Sequence, residues 1–389
     1  MRIGLRRPPR LSLGRLGTLA FEVLKFFRVI TLYPLRQGGS VSSSELVRLL
    51  GELSEANGAP GFEDQVRELI AREVEGYVDE LRVDRLGNLV AVKGEGRPRV
   101  MVAAHMDEVA LMVRHVEDRG FIKFVALGGV SPYVLVGQEV VVEGSRGRVY
   151  GVVGSRPPHL RDQVKELKID DLYIDVGAGS HDEVRELGVG VGDFAFFSSN
   201  FRALGDDCVM GKAFDDRVGC VVLIEVLKGL GELEGSVYGV FTVQEEVGCR
   251  GATVAAYAIE PDVAVVLEGT IAADTPDVPA FKAVTRLGAG PAVRVMDASM
   301  IADRRLLKFV VSVAEELGIP YQLQISPTSG TDAGRIHLAR AGVPSTVISV
   351  PCRYIHSPRS IARLSDIERT IELVRAVVER LHEFVSGGQ

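Results

Sequence analysis

Cysteine is scarce and scattered. Cys208, Cys220, Cys249 and Cys352 include no pair at CxxC spacing. The chain therefore offers neither a disulfide framework nor a structural zinc knuckle, and a reducing cytoplasm is the expected location. No uninterrupted apolar run approaches the roughly 18 residues of a membrane-spanning helix. Excess positive charge is missing as well: at −7 overall the chain gives no reason to expect a nucleic-acid partner. No internal repeat or low-complexity tract stands out. What is present is 46% hydrophobic residues over 389 positions, enough for two domains with substantial cores.

The charge is unevenly spread. Residues 1–40 hold seven Arg and one Lys against the single acid Glu22, a surplus of +7 that leaves −14 for the remainder. Leu16, Leu19, Val23, Phe26, Phe27 and Ile30 fall on one helical face, with Arg15, Glu22, Lys25 and Arg28 off it. A basic, acid-poor helix of this kind suits a membrane surface or a targeting role, but charges interrupt it too often for a secretory signal. The expectation for 1–40 is a basic N-terminal extension, without membrane contact, ahead of a working chain that starts near Val41.

From there the pattern becomes regular. A serine cap at Ser42–Ser44 precedes Leu46, Leu49, Leu50 and Leu53, the stripe of an amphipathic helix. Arg99–His105 is a continuous apolar run, as expected of a central strand covered on both faces. Between 111 and 206 short strands alternate with Gly and Pro turns, a β-barrel or sandwich signature that reads as a small inserted domain, with a β-barrel the expectation. Helix and strand patterns then alternate again: a helix over 218–230, strands at 237–243 and 263–267, a helix over 304–317, a segment at 321–325, a loop over 329–332 followed by a helix to Arg340, a strand at 345–350 and a closing helix over 365–384. Residues 41–110 and 207–389 thus form one α/β domain, a mixed sheet with helices on both faces.

Acids and histidines recur at the carboxyl ends of these strands. His105 and Asp107 end one, Glu245 and Glu246 a second, Glu268 a third, and His356 follows a fourth. Open α/β sheets build their sites there. Asp215 and Asp216 add two carboxylates at a helix start. Each has an ordinary explanation alone: a core histidine, a helix cap, a solvated strand end. Gathered on one sheet edge, they would leave uncompensated negative charge unless cations bind. Two histidines and three carboxylates suit a borderline divalent ion such as zinc or cobalt rather than calcium. A bridging carboxylate with two flanking pairs gives a two-metal site, which lowers the pKa of water from 15.7 to about 7. One carboxylate left off the metals would then carry the proton.

The motifs His105-Met-Asp107, Ala213-Phe-Asp215-Asp-Arg217, Gln244-Glu-Glu-Val-Gly248 with Arg250-Gly-Ala252, Leu267-Glu-Gly269, Ser329-Gly-Thr-Asp-Ala-Gly334 and Tyr354-Ile-His-Ser357 occur in this order. Together they resemble the dinuclear-metal aminopeptidases that assemble into tetrahedral (TET) particles, a family that includes glutamyl and deblocking aminopeptidases and proteins once labelled endoglucanases. The match covers about residues 42–385; the extension has no counterpart.

The resemblance implies a zinc-aminopeptidase-like catalytic domain and an activity that removes N-terminal residues from short peptides with a free N-terminus. It implies two divalent ions per subunit, zinc or cobalt. His105 and Glu268 would hold one, Glu246 and His356 the other, and Asp215 both. Glu245 matches the general base, Asp107 would hydrogen-bond the far nitrogen of His105, and Gly330, Thr331 and Asp332 would contact substrate. The Asp215–Asp216 peptide would be cis, and the β-barrel would serve assembly into a homododecamer. Two alternatives stay open: a deacylase or other amidohydrolase on the same metals, and a non-catalytic assembly scaffold. A cellulase is disfavoured, because a glycosidase needs two carboxylates facing across a sugar. Cys249 reads as a small filler beside the base, not a nucleophile, and neutral aliphatic residues are the expected N-terminal preference.

Overall fold

The structure is a computed structural model that describes residues 43–157, 159 and 166–387. The extension at 1–40 lies outside these residues. The chain enters through the helices Ser43–Glu55 and Asp64–Val74, then lays down β1 (Glu80–Val83), β2 (Leu89–Gly94) and β3 (Arg99–His105). It departs into β4 (Ala110–Val116), β5 (Ile122–Leu127), β6 (Glu139–Gly144), β7 (Gly147–Ser155), β8 (Leu172–Asp175) and β9 (Phe194–Phe197). It returns through β10 (Arg202–Leu204), β11 (Cys208–Gly211), β12 (Ser236–Thr242) and β13 (Val263–Ile271). The last strands are β14 (Ala292–Asp297), β15 (Gln322–Ser326), β16 (Ser345–Arg353) and β17 (Ser360–Arg363).

The main sheet has 11 strands in the order β1-β2-β12-β3-β13-β16-β17-β11-β10, with β14 and β15 branching from β16. At its centre β12, β3, β13 and β16 run parallel, while β2 and β17 join them antiparallel. The sheet is mixed, as expected. Its centre is apolar on both sides: Val100, Val102 and Ala104 of β3 pack into one core, Met101 and Ala103 into another. The first core is closed by the helices Phe214–Gly229 and Leu364–Ser386, the second by the helix Arg250–Ile259. Parallel strands bonded on both edges need this double cover, which is why Arg99–His105 does not alternate.

The strands β4-β5-β8-β7-β6-β9 close into a barrel. Alternate positions, among them Leu111, Val113, Ile122, Phe124, Val140 and Val142, fill its interior. Closure depends on β9, which pairs with both β4 and β6. The sequence pattern gave no strand there, none at β14, and no helix at Arg250–Ile259. The helix from Asp332 is also shorter than expected, ending at Ile336; Arg340 takes a left-handed φ of 55° in the turn that follows. Among the described residues no helix is long and apolar enough to cross a membrane.

One buried ionic network ties the carboxyl end of β3 to the neighbouring helices. Lys212 Nζ donates to Glu108 Oε1 at 2.5 Å, and Arg217 Nη2 lies 3.6 Å from the same oxygen. Arg217 also donates to the carbonyls of Met106 (2.9 Å) and Ala56 (3.0 Å), and to that of Leu53. Those last two carbonyls close the first helix. Replacing Arg217 by Met should therefore destabilise the metal-saturated protein by about 3–5 kcal/mol, read from urea unfolding. A change within experimental error would show the network to be dispensable.

Candidate metal centre

The carboxyl ends of β3, β12, β13 and β16 converge with the start of the helix Phe214–Gly229. His105 closes β3 and Glu268 stands inside β13. His105 Nε2 faces Asp215 Oδ1 at 3.4 Å and Glu268 Oε2 at 3.6 Å. On the other side of Asp215, His356 Nε2 lies 3.1 Å from Oδ2 and 3.6 Å from Glu246 Oε1. Two three-ligand groups, His105–Asp215–Glu268 and Asp215–Glu246–His356, thus share one carboxylate. The Asp215–Asp216 peptide bond is cis, and Asp216 turns away from the ligands. Its carboxylate accepts the backbone N–H groups of His105 (3.1 Å) and Gly219 (2.9 Å), fixing the helix start against β3.

These residues fit metal ions on a test independent of any relative. Asp215 Oδ1, Glu246 Oε1 and Glu268 Oε1 are buried without a hydrogen-bond partner. An orphaned buried carboxylate oxygen is costly, and cations held by the two groups would supply the missing partners. The titration behaviour shows the same unmet need. Burial pushes Glu246 up to about 8 and Glu268 up to about 7, each partly relieved by its neighbouring histidine. Burial opposes protonation of His356, but the bond to Asp215 and the charge of Glu246 outweigh it and raise it to about 10. For Asp215, burial is likewise outweighed by His105 and His356, and its carboxyl is held below the usual range.

The surrounding hydrogen bonds orient the ligands. His105 Nδ1 donates to the backbone carbonyl of Asp107 at 3.0 Å, leaving Nε2 for the ligand group. The Asp107 carboxylate stands 3.6 Å from that nitrogen and works elsewhere: Oδ1 accepts from the N–H of Glu245 at 2.9 Å and Oδ2 from that of Glu246 at 3.0 Å. Glu63 Oε1 accepts the preceding N–H, from Gln244, at 3.2 Å and that of Gly61 at 2.8 Å. Two buried carboxylates therefore hold three successive N–H groups of the turn after β12, where Gln244 has a φ of 57°. Burial raises Glu63 to about 7.

The barrel contributes too. The carbonyl of Gly129, just past β5, lies 2.9 Å from His356 Nδ1. Gly128 has a φ of 87°, and a Cβ there would stand 2.7 Å from Glu246 Oε2. Glu63 and this glycine pair escaped sequence reasoning; only the Gly128–Gly129 doublet itself was visible, as a turn signal.

Glu245 belongs to neither shared group. It clusters with Cys249 and Asp332, with Cys249 Sγ 3.3 Å from its Oε1. Burial, then the charges of Glu268, Asp332 and Glu246, push its carboxyl well above the ordinary range. The Cys249 thiol is also pushed up by burial, so it stays protonated. A cavity of about 480 Å³ opens over the ligands, and Gly330 and Thr331 line it. Asp332 sits behind, 1% exposed, accepting from the Thr242 hydroxyl at 2.5 Å.

A family model described as M42 glutamyl aminopeptidase matches residues 87–373, a span that holds every residue of both ligand groups. The chain belongs to that family. A TET aminopeptidase structure from a marine-sediment Thaumarchaeota archaeon is 42% identical to this M42 chain and superposes with a TM-score of 0.86, covering 89% of this chain and 99% of its own. The lysyl aminopeptidase of Pyrococcus furiosus is 38% identical over 339 residues, 86% of this chain and 96% of the relative. A TET1 structure solved as a dodecamer is 36% identical with a TM-score of 0.76, over 85% of this chain and 98% of its own.

Proposed function

We propose that this M42 chain is a two-metal aminopeptidase that removes N-terminal residues from short peptides. The observation that carries the reading is the sharing of Asp215 by two groups that each add one histidine and one glutamate, with three orphaned carboxylate oxygens between them. His105 and Glu268 would hold one divalent ion, zinc or cobalt, Glu246 and His356 the other, and Asp215 both. When bound, such a pair lowers the pKa of water to about 7 and polarises the scissile carbonyl. Glu245, raised by burial and kept out of both groups, is suited to take the proton of the attacking water and return it to the leaving amine. Asp107 would aim that carboxylate by gripping the backbone N–H of Glu245, with Glu63 holding that of the preceding Gln244. Gly330 and Thr331 would line the substrate path, with Asp332 behind the base.

Residues 41–110 and 207–389 would be the catalytic domain and 111–206 the assembly domain of a homododecamer. The dodecameric neighbour supports that reading.

The test is turnover of free and N-acetylated peptides by chelated protein resupplied with zinc or cobalt, with the mass in solution measured alongside. Free-amine peptides alone should be cleaved, and only after metal returns. Cleavage of acetylated peptides would favour a deacylase, and a strict monomer would remove the assembly proposal. Metal uptake should also weaken as the pH falls from 8 to 6, because the protons held on His105 and His356 must leave first. Uptake independent of pH would contradict the ligand assignment.

A further inference from the structure

The turn after β12 doubles back on itself. The carbonyl of Glu245 accepts the N–H groups of Gly248 (2.8 Å) and Cys249 (2.9 Å). Cys249, at a left-handed φ of 55°, thereby brings its sulfur to 3.3 Å from Glu245 Oε1. Asp332, which opens the helix Ala333–Ile336, reaches the same place. One ligand atom from each of the three side chains lies within 4.8 Å of the other two. We infer that Cys249, Glu245 and Asp332 form a third, inhibitory metal site, which takes a thiophilic divalent cation such as excess zinc or cadmium and so ties up the base.

Two acids and a cysteine at close quarters do not by themselves make a site. What points to a ligand is Asp332. It is 1% exposed, and the Thr242 hydroxyl anchors its Oδ2. Its Oδ1 is buried with no hydrogen-bond partner, as are the carboxylate oxygens of the two shared groups. Burying an orphaned carboxylate oxygen is costly. A cation held together with Glu245 and Cys249 would supply its partner.

The donor set decides the ion. A tetrahedral zinc, with Zn–S of about 2.3 Å and Zn–O of about 2.0–2.2 Å, spaces a sulfur and an oxygen ligand about 3.6 Å apart. The 3.3 Å between Cys249 Sγ and Glu245 Oε1 needs little adjustment to meet that. Thiolate sulfur favours zinc and its softer congener cadmium over magnesium or calcium. Three side chains leave the fourth position to water. On binding, the Cys249 thiol proton passes to solvent and the thiolate sulfur bonds the ion. Glu245 and Cys249 are only half-buried, so the ion has a route in.

A carboxylate that ligates an ion no longer accepts a proton. The third site would therefore stop turnover with both catalytic positions still filled. That consequence rests on the aminopeptidase reading with Glu245 as base; the binding itself does not.

The experiment titrates the zinc-loaded full chain with cadmium while bound metal, ultraviolet absorbance and turnover of a free-amine peptide are followed. One further equivalent should bind, with a sulfur-to-cadmium charge-transfer band, and kcat should fall by at least about a hundredfold. Cadmium exchanging into the zinc positions would give no such band, because neither shared group holds a cysteine. Magnesium should produce neither effect. Cys249→Ser should lose the band and the further equivalent, and cadmium should no longer slow it relative to its own cadmium-free rate. A wild-type chain that binds no further equivalent overturns the inference, and so do a band or an inhibition that persist in Cys249→Ser. The further equivalent with its band but unchanged turnover overturns the inhibition, and Glu245 as base with it. No turnover by the zinc-loaded chain before cadmium is added overturns the aminopeptidase reading, while the band still decides the site.

Discussion

Glu245→Gln should lower kcat by about 10²–10⁴ while the protein keeps its full metal content. The two halves of this expectation come from different contacts. Glu245 is absent from both ligand groups, so an amide there takes nothing from either ion. Its backbone stays clamped, because the bond to Asp107 uses the N–H and not the side chain. What disappears is the proton acceptor. The carboxyl is pushed upward first by burial and then by Glu268, Asp332 and Glu246, which makes it a better proton acceptor than an exposed glutamate. An amide of equal size cannot take the proton. Metal content by elemental analysis and single-turnover rates on a free-amine peptide check the prediction together. A variant with wild-type kcat would remove Glu245 from the chemistry, and one that loses metal would make it a ligand.

Asp215→Asn should have the larger effect on metal, emptying both positions. Asp215 stands within 3.4 Å of His105 Nε2 through one oxygen and 3.1 Å of His356 Nε2 through the other. Among the described residues it is the member common to both groups. Loss of an outer hydrogen-bonding partner costs about 10–100-fold in metal affinity; loss of a shared ligand should exceed that at each position. Removing the charge also leaves two histidines without the carboxylate that offsets their burial, so the variant should unfold at a lower temperature than wild type when both are metal-free. Calorimetric titration with zinc, followed by a thermal melt, reads both effects. Retention of one ion at wild-type affinity would show that Asp215 serves a single position.

The acids and histidines of the candidate site were legible because each sits next to a local signal, and the family resemblance divided them into expected ligands and base. His105, Glu246 and Glu268 end or follow apolar runs that could only be core strands, Asp215 opens a helix, and His356 follows the last parallel strand. A one-dimensional pattern records where a strand stops, and a parallel sheet gathers those stops on one edge. The residues around the ligands left no such mark. Gly129 is 227 positions from His356 and Glu63 is 181 from Gln244; their roles exist only once the barrel and the first helices dock on the sheet.

Asp107 shows the same limit at short range. It lies beside His105 in the sequence, yet its carboxylate serves the turn after β12, and a backbone carbonyl orients the histidine. Arg294 is the clearest case. A charged residue in a six-residue run argues against a core strand, and β14 accommodates it because Asp297, Gln324 and Thr270 receive the guanidinium. Periodicity and strand ends, which are local properties, brought out the mixed α/β fold with its inserted β domain and the acids and histidines gathered on one sheet edge; which of those side chains to expect as ligands came from the family resemblance. Tertiary structure decided which carboxylate holds which backbone, how the barrel closes, and what lines the pocket beside the metals. Those depend on contacts between distant segments, which satisfy buried polar groups that no local pattern can pair.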